Sequence, residues 1–457
     1  MSTPSITLNN SLSRMKETLD SPLPIGMYVC GPTVYDRPHI GNARSVVIYD
    51  VLFRLLRHVY GAEAVTYVRN ITDVDDKINQ AAVQRGISIQ SLTQEVTTQF
   101  HEDMAALLCL PPTIEPKVTE HMDDIVAMID RLVGYGHAYC QDGHVLFDVT
   151  SDQSEYWHYG MLSGRTIEEQ RSGARIAVES YKRHPGDFVL WKPASDQDDA
   201  SSVFDSPWGR GRPGWHIECS AMSTKYLGHD FAIHGGGADL KFPHHENEIA
   251  QSCCANPGSH YAKLWVHNGF LTVDGEKMSK SLGNFVTVKA LLDQGIPAEV
   301  IRFALLSAHY AKPLDWTEKL IADARKQLVK LYKNIEKTDD IAGDASAQDV
   351  LDALVEDLNL PKAIAALHRL RGAALRKAGA LLGLLQDNPA HWRREHDRAD
   401  TSHTGHVVSD VDQLIAARAQ AKAEKNWVAA DRIRDRLKAE GILLVDQPDG
   451  KTSWKRV

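Results

Sequence analysis

The sequence predicts an α/β fold built on a doubly wound parallel sheet, and three stretches near the N terminus carry this prediction. Residues 27–30 form a short apolar strand, residues 41–60 an amphipathic helix, and residues 65–68 a second apolar strand. Strand, helix and strand in this order are typical of a Rossmann-like sheet, which binds ligands at the carboxyl ends of its strands. We therefore expect Cys30 and Asn70, which follow the two strands, at the ligand-binding edge.

Changes of pattern along the chain predict further domains around this sheet. A helical pattern near residues 121–135 and a hairpin-like stretch at Gly143 interrupt it, and helix formers with regularly spaced apolar residues dominate from residue 318. Pro389 marks a linker. The predicted segments are the first half of the sheet domain at 1–115, an insertion at 116–207, the second half at 208–260, a region with a basic loop at 261–317, a helical bundle at 318–386, a linker at 387–412 and a C-terminal module at 413–457.

The composition is that of a globular protein: of 457 residues, 43% are apolar and 24% charged. No apolar run reaches the roughly 18 residues that cross a bilayer, and the N terminus lacks the apolar core of a signal peptide. We therefore expect no membrane contact and a cytoplasmic location. The net charge of −9 argues against non-specific coating of nucleic acid, but it is compatible with a local basic face.

The six cysteines are expected to be thiols or metal ligands, because a long chain without a secretion signal rarely relies on a disulfide framework. Four of them are expected to be buried, unreactive thiols: Cys109, Cys140, Cys253 and Cys254. Cys30 and Cys219 stand beside polar motifs and are candidates for chemistry.

The first motif, His39-Ile40-Gly41-Asn42, lies between the first strand and its helix. Glycine lets the backbone approach a ligand closely, and the positive N-terminal end of the helix favours phosphate. A histidine beside glycine in a turn is also an ordinary loop residue, so the tetrapeptide alone leaves both interpretations open.

The second motif is the basic loop KMSKS at residues 277–281, flanked by Gly275 and Gly283. Such a loop is able to neutralise charge that develops on departing pyrophosphate, although a solvated surface loop has the same composition. The two motifs together, in this order, resemble the signature pair of class I aminoacyl-tRNA synthetases.

This resemblance implies an ATP site formed by His39, Ile40, Gly41, Asn42 and Lys280, with Mg²⁺ accompanying the nucleotide. It implies that His39 and Lys280 stabilise the transition state as a carboxylate attacks the α-phosphate, and that Lys277 supports the same loop. Family members often carry histidine where this chain has Asn42, which donates hydrogen bonds but carries no charge. The contribution of Asn42 is therefore an open question.

A metal site is predicted from the segment after Pro243. A helix that begins there places His244 and Glu248 four residues apart on one face, and Cys219 and Cys30 would complete two thiolates, one imidazole and one carboxylate. The spacing is not that of a zinc finger, and a charged helix start is often only a solvated face.

Three segments resemble the zinc-binding segments of the cysteinyl-tRNA synthetase family: residues 28–31 (YVCG), 215–219 (WHIEC) and 244–248 (HHENE). The resemblance covers essentially the whole chain. It implies one Zn²⁺ held by Cys30, Cys219, His244 and Glu248, with His245 and Glu246 as neighbours of the site or surface residues. Zinc prefers thiolate to hydroxyl, so it would separate cysteine from serine without an editing domain.

The same resemblance implies an amino-acid pocket in which Thr72 and Trp215 flank the side chain and Asp239 pairs with the α-ammonium group. The structural alternatives are a helix cap for Thr72 and a core aromatic for Trp215.

The C-terminal module mixes basic and aromatic side chains, a composition that suits unpaired RNA bases and their phosphates. These residues are Lys425, Trp427, Arg432, Arg434, Arg436 and Trp454. The segment resembles the anticodon-binding module of the family, in which Trp427 and Asp446 match positions that contact the anticodon. A solvated helix followed by a hairpin at Asp449-Gly450 is the alternative.

We therefore expect a monomeric ligase that joins L-cysteine to tRNA(Cys) through a cysteinyl-adenylate, giving AMP and pyrophosphate. Two alternatives remain: a ligase that joins cysteine to an amino-sugar, as in mycothiol synthesis, and a non-catalytic zinc- and RNA-binding paralogue. The C-terminal module argues against the first, and the intact ATP motifs argue against the second.

Overall fold

The structure is a computed structural model. It describes residues 4–151, 157–166, 179–195, 198–279, 284–336, 343–392, 414–415, 418–419, 422, 430–431, 433–434, 437, 442–446 and 452–456. The chain forms two compact units, Met1–Gln386 and Asp387–Val457. The division falls where the linker is predicted to begin.

The first unit contains both strands and helices. The described strands are β1 (Thr7–Asn10), β2 (Met15–Thr18), β3 (Ile25–Val29), β4 (Val65–Arg69), β5 (Ala138–Gln141), β6 (His144–Phe147), β7 (Phe188–Pro193), β8 (Gly211–Pro213), β9 (Asp230–Gly237), β10 (Tyr261–Asn268), β11 (Leu271–Val273), β12 (Glu276–Lys277) and β13 (Leu314–Trp316). The described helices are α1 (Ile40–Tyr60), α2 (Asp76–Arg85), α3 (Ile89–Ala106), α4 (Met122–Gly134), α5 (Trp215–Leu227), α6 (His244–Ala255), α7 (Val288–Asp293), α8 (Ala298–Leu305), α9 (Glu318–Ile335), α10 (Gly343–Val355), α11 (Leu360–Leu367) and α12 (Gly372–Leu381).

A parallel sheet of order β10-β9-β3-β4 forms the centre of the unit. All residues of β3 are buried, as its continuous apolar sequence requires for a strand covered on both faces. The predicted strand–helix–strand unit is confirmed by β3, α1 and β4. Because the strands are parallel, their carboxyl ends meet at one edge, and Cys30 and Asn70 follow β3 and β4 there.

The insertion contributes a second, antiparallel sheet of order β5-β6-β7-β8. The predicted helix corresponds to α4, and the predicted hairpin at Gly143 is the turn between β5 and β6, where this glycine has a φ of 78°. The last strand of the sheet, β8, follows the expected end of the insertion at residue 207.

The expectation of four buried thiols is wrong for Cys140, which is exposed because it lies near the end of the edge strand β5, next to the turn at Gly143. Cys109 is half-buried, whereas Cys253 and Cys254 are buried within α6.

Helices α9 to α12 form the predicted helical region. Helix α8 joins this region to the sheet: the guanidinium of Arg302 donates to Asp50 on α1 at 2.5 Å and to the carbonyl of Leu382 at 2.8 Å. Within the described ranges, every helix is too short or too polar to cross a bilayer.

The second unit contains an antiparallel pair, β14 (Ile442–Asp446) and β15 (Thr452–Arg456), in which Asp446 lies opposite Thr452. This pair is consistent with the expected hairpin, whose turn at Asp449-Gly450 lies outside the described residues. Trp427 also lies outside them.

Candidate active site and metal cluster

Four side chains from separate parts of the sequence converge at the carboxyl edge of the parallel sheet. Cys30 follows β3, Cys219 lies on α5, and His244 and Glu248 lie one turn apart on α6. One candidate ligand atom from each lies within 4.8 Å of the others. Within this cluster, Nε2 of His244 lies 3.1 Å from Oε1 of Glu248, and Sγ of Cys30 lies 3.5 Å from the same oxygen. These are the four residues that the sequence predicts as metal ligands.

The donor set fits a thiophilic metal ion. His244 and Glu248 are 1% and 0% exposed, and Nε2 of His244 faces Oε1 of Glu248 without forming a hydrogen bond of good geometry. Nδ1 of the same ring lies 3.0 Å from Nδ1 of His216, so Nε2 is the nitrogen that remains for a metal. Two sulfurs, one imidazole and one carboxylate are ligands that Zn²⁺ accepts.

An overlapping set also has its ligand atoms within 4.8 Å of one another: Cys30, His234, His245 and Glu248. It offers one sulfur instead of two. We therefore favour the set with both cysteines, because a thiolate is the stronger zinc ligand.

The candidate ligands strongly perturb one another's pKa values. Burial raises the pKa of Glu248, but His234 and His244 outweigh this effect and hold it well below the usual range. Burial lowers the pKa of His244, but Glu248 and Cys219 together raise it to about 10. A hydrogen bond from Cys30 lowers the pKa of Cys219 to about 6, which favours the thiolate that a metal ion binds. Burial raises the pKa of Cys30 itself.

Three residues that hold the cluster in place were not assigned a role from the sequence, namely His234, Tyr261 and Tyr28, whereas Asn70 was expected at this edge. Oε2 of Glu248 lies 2.8 Å from both Nε2 of His234 and the hydroxyl of Tyr261. Oδ1 of Asn70 accepts hydrogen bonds from the hydroxyl of Tyr28 at 3.1 Å and from the backbone N–H of Gly31 at 2.9 Å.

In the sequence, Gly31 indicates that the ends of β3 and β4 approach each other closely. A Cβ atom at this position would lie 1.6 Å from the carbonyl oxygen of Asn70, so only glycine lets the two strand ends approach.

The sequence predicts that His245 and Glu246 either neighbour the site or lie on the surface. The structure places neither of them on the surface. Both are fully buried. Nε2 of His245 lies 3.4 Å from Sγ of Cys30, and Glu246 accepts hydrogen bonds from the backbone N–H groups of Gly160 at 3.0 Å and Ser163 at 2.7 Å. Glu246 thus fixes the insertion to the helix that carries two of the candidate ligands.

The three predicted pocket residues differ in their surroundings. Trp215 stacks on the ring of His244 with centroids 4.2 Å apart and is 40% exposed, so it lines the mouth of the cluster and is not a core residue. Thr72 is buried beside the cluster, and its hydroxyl accepts a hydrogen bond from Asn70 at 3.1 Å. It does not cap α2, whose N-cap is Asp75. Asp239 is exposed on the turn after β9.

The first ATP motif is a helix cap. Nδ1 of His39 accepts a hydrogen bond from the backbone N–H of Asn42, and Oδ1 of Asn42 accepts one from the backbone N–H of His39, both at 3.2 Å. Asn42 therefore closes a reciprocal capping box. Burial lowers the pKa of His39, so its ring is neutral at pH 7, with the proton on Nε2.

The two ATP motifs contact each other. A Cβ atom at Gly41 would lie 2.9 Å from the His39 ring and 3.2 Å from the terminal methyl group of Met278. The ring of His39 also meets the edge of Phe285, with centroids 5.2 Å apart. A side chain at position 41 would therefore force the His39 ring to shift and would crowd Met278.

Lys277 ends β12 and is exposed, whereas Lys280 lies outside the described residues. Asn284, which was not assigned from the sequence, bonds back to the first part of the loop: its Oδ1 accepts from the backbone N–H of Ser279 at 2.9 Å, and its Nδ2 donates to the carbonyl of Lys277 at 3.3 Å.

Comparison with known proteins agrees with this architecture. Residues 18–326 match the family model of the tRNA synthetases class I (C) catalytic domain, and residues 404–454 match the cysteinyl-tRNA ligase anticodon binding domain. The fold resembles methionyl-tRNA synthetase from Mycobacterium tuberculosis, solved with methionyl-adenylate, with a TM-score of 0.55 over 78% of this chain and 83% of that chain at 16% identity. The fold and catalytic domain are thus those of a class I tRNA synthetase.

Relatives that match the chain over its full length identify the family within this class. A cysteine–tRNA ligase from Acidiphilium cryptum (strain JF-5) is 51% identical over 464 residues, which cover 99% of each chain. One from Wolbachia pipientis wMel is 50% identical over 472 residues, covering 98% of this chain and 100% of its own. The chain belongs to the cysteine–tRNA ligase family.

Proposed function

We propose that this protein activates L-cysteine with ATP and transfers it to tRNA(Cys), giving cysteinyl-tRNA, AMP and pyrophosphate. The convergence of Cys30, Cys219, His244 and Glu248 at the ligand edge of the sheet carries this proposal. Full-length similarity to the cysteine–tRNA ligases supports it.

One Zn²⁺ bound by these four residues would supply the selectivity for a thiol. Serine and cysteine differ by one atom, and a pocket without a metal separates such near-isosteres poorly. Zinc favours a thiolate over a hydroxyl group. Trp215 stacks on His244 and borders the entrance, and Thr72 lies on the buried side. Asp239 provides the carboxylate for the α-ammonium group of the substrate.

The chain's own residues handle the phosphates. The neutral ring of His39 presents an Nε2–H donor to the α-phosphate where the carboxylate attacks. Ile40, Gly41 and Asn42 form the first turn of α1, whose N-terminal end favours anions. Lys280, assisted by Lys277, neutralises the departing pyrophosphate, and Mg²⁺ accompanies the triphosphate.

The second unit would read the anticodon through Trp427 and Asp446. We place the reaction in the cytoplasm, where tRNA and ATP meet. A single chain is the proposed functional unit, because one chain supplies the complete set of candidate ligands.

The two alternatives are less favoured. The match of residues 404–454 to an anticodon binding domain supports tRNA over an amino-sugar as the acceptor. Contact between the two ATP motifs through Gly41 and Met278 supports a catalytic protein over a binding protein.

Charging assays with tRNA(Cys) transcript test the proposal. A chain that ends at Thr401 keeps the catalytic domain and should retain cysteine-dependent pyrophosphate exchange. Its kcat/KM for charging should fall about 10- to 100-fold, because each lost base stack costs about 1–3 kcal/mol. Equal charging by the truncated and the full chain would refute the role of the second unit in tRNA binding. If the full chain joined cysteine only to an amino-sugar, tRNA would be excluded as the acceptor.

A further inference from the structure

A second cavity lies in the first unit, apart from the residues assigned above to ATP, cysteine or metal. It has a volume of about 380 Å³ and is found beside the carboxyl end of the edge strand β10. The turn after β1, the turn between β9 and α6, and the segment before β13 enclose it. Its polar lining includes Asn9, Ser11, Lys241, His267, His309 and Lys312.

The cations of this cavity lack counter-ions. Lys241 and Lys312 form no ion pair with any residue in the described part of the chain. Lys241 is half-buried, and Lys312 is exposed at the rim. One carboxylate, that of Asp357, also lines the cavity.

Asp357 does not neutralise these lysines, because its oxygens are already engaged. Oδ1 accepts hydrogen bonds from the backbone N–H of Asn9 and from the hydroxyl of Tyr310, both at 2.8 Å. Oδ2 lies 3.6 Å from Nε2 of His309 and 3.8 Å from Nζ of Lys16.

The positive charges around Lys241 oppose one another. Burial and the nearby Arg14 both lower the pKa of Lys241. Burial, followed by Lys241, holds the pKa of His267 well below its usual range, so His267 is neutral and the like charges are those of Lys241 and Arg14. Repulsion between like charges costs free energy, and an anion in the cavity would relieve it.

We propose that this cavity binds a phosphate group, with the half-buried Lys241 and the exposed Lys312 as its cations. A lysine ammonium group binds phosphate as a point charge, and both ATP and tRNA bring phosphate to this enzyme. The occupant is therefore either a backbone phosphate of the RNA or a phosphate of the free nucleotide. The choice of these two sources rests on the proposed function. The proposal that the cavity binds phosphate does not depend on that function.

Thermal unfolding with inorganic phosphate tests the site independently of activity. The double variant Lys241→Met/Lys312→Met is compared with wild type and with Lys263→Met, a control on β10 whose ammonium group donates to the carbonyl of Asp20 outside the cavity. Against chloride of equal ionic strength, phosphate should raise the Tm of wild type and control by about 2 °C or more. A clearly smaller rise is expected for the double variant, and an equal rise would overturn the proposal.

Folding of the variants is not expected to fail, because Lys241→Met removes a repelling charge and Lys312 is exposed. The single variant Lys312→Met provides a second, milder test, and it should show a Tm shift between those of wild type and the double variant.

Two further measurements on the full chain identify the source of the phosphate. If RNA supplies it, the double variant should bind tRNA(Cys) transcript about tenfold more weakly without ATP or cysteine, with the slope of log K against log salt reduced by about 1. If the nucleotide supplies it, the KM for ATP in pyrophosphate exchange should rise instead. Wild-type values in both assays would overturn the assignment to RNA or nucleotide, whereas the Tm comparison decides whether the cavity binds phosphate. Wild-type protein without cysteine-dependent exchange would refute the proposed function, but the phosphate-dependent Tm shift would still stand.

Discussion

The metal cluster and the ATP motifs share one edge of the sheet but differ in their access to water. Glu248 and His244 are buried, and each lies against polar side chains of the protein, Glu248 against His234 and His244 against Cys219. In the ATP motifs, His39 is neutral and Lys277 is exposed. Selection of a thiol depends on which side chains bind the metal in a site shielded from water. Binding of phosphate depends on cations that can reach a hydrated group. Substitutions in the two regions should therefore fail in different ways.

The largest effect is expected for Cys219→Ser, which removes a thiolate from the cluster. Loss of a residue that merely supports a ligand typically costs 10- to 100-fold, so loss of the ligand itself should lower cysteine-dependent exchange by at least about a thousandfold. Metal analysis of the purified variant should show loss of zinc. Cys253→Ser, which alters a buried thiol of α6 outside the cluster, is the control and should keep both zinc and activity. Normal zinc in Cys219→Ser would remove this residue from the site.

The variant Lys280→Ala tests the role of the ATP motifs. Its charge is needed as pyrophosphate leaves, so kcat for exchange should fall about 100- to 1000-fold while the KM for cysteine and the zinc content stay near wild type. Single-turnover measurement of adenylate formation checks this. Lys289→Ala, in which the lost ammonium group pairs with Asp293 on α7, is a matched control. An unchanged rate of adenylate formation would show that Lys280 has no role in this step and that the loop is an ordinary surface loop.

A smaller effect is expected for Asn42→Ala, which opens the capping box of α1. Loss of a helix cap costs about 1 kcal/mol, which should appear in the free energy of unfolding measured with denaturant. Asn42→Asp keeps the acceptor oxygen that the backbone N–H of His39 uses and should retain most of this stability. If alanine and aspartate variants are equally stable, the side chain contributes nothing to the cap.

The local features of the fold were predictable, because they depend on short-range patterns. Apolar runs located β3 and β4, and the spacing of His244 and Glu248 placed both on one face of α6. The support of the cluster was not predictable in the same way. His234 and Tyr261 lie on adjacent parallel strands and reach Glu248 through the register of the sheet, which has no signature in the sequence. Asn42 was singled out, but its capping role depends on the backbone geometry at His39.

Pyrophosphate exchange with cysteine and with serine, measured without tRNA, tests most directly whether a metal-bound thiol selects the substrate. Pockets that sort near-isosteres by shape alone reach about 100- to 200-fold discrimination. We expect kcat/KM for cysteine to exceed that for serine by well over this ratio in the zinc-loaded enzyme. Serine exchange within about 200-fold of cysteine exchange would contradict selection by the metal cluster.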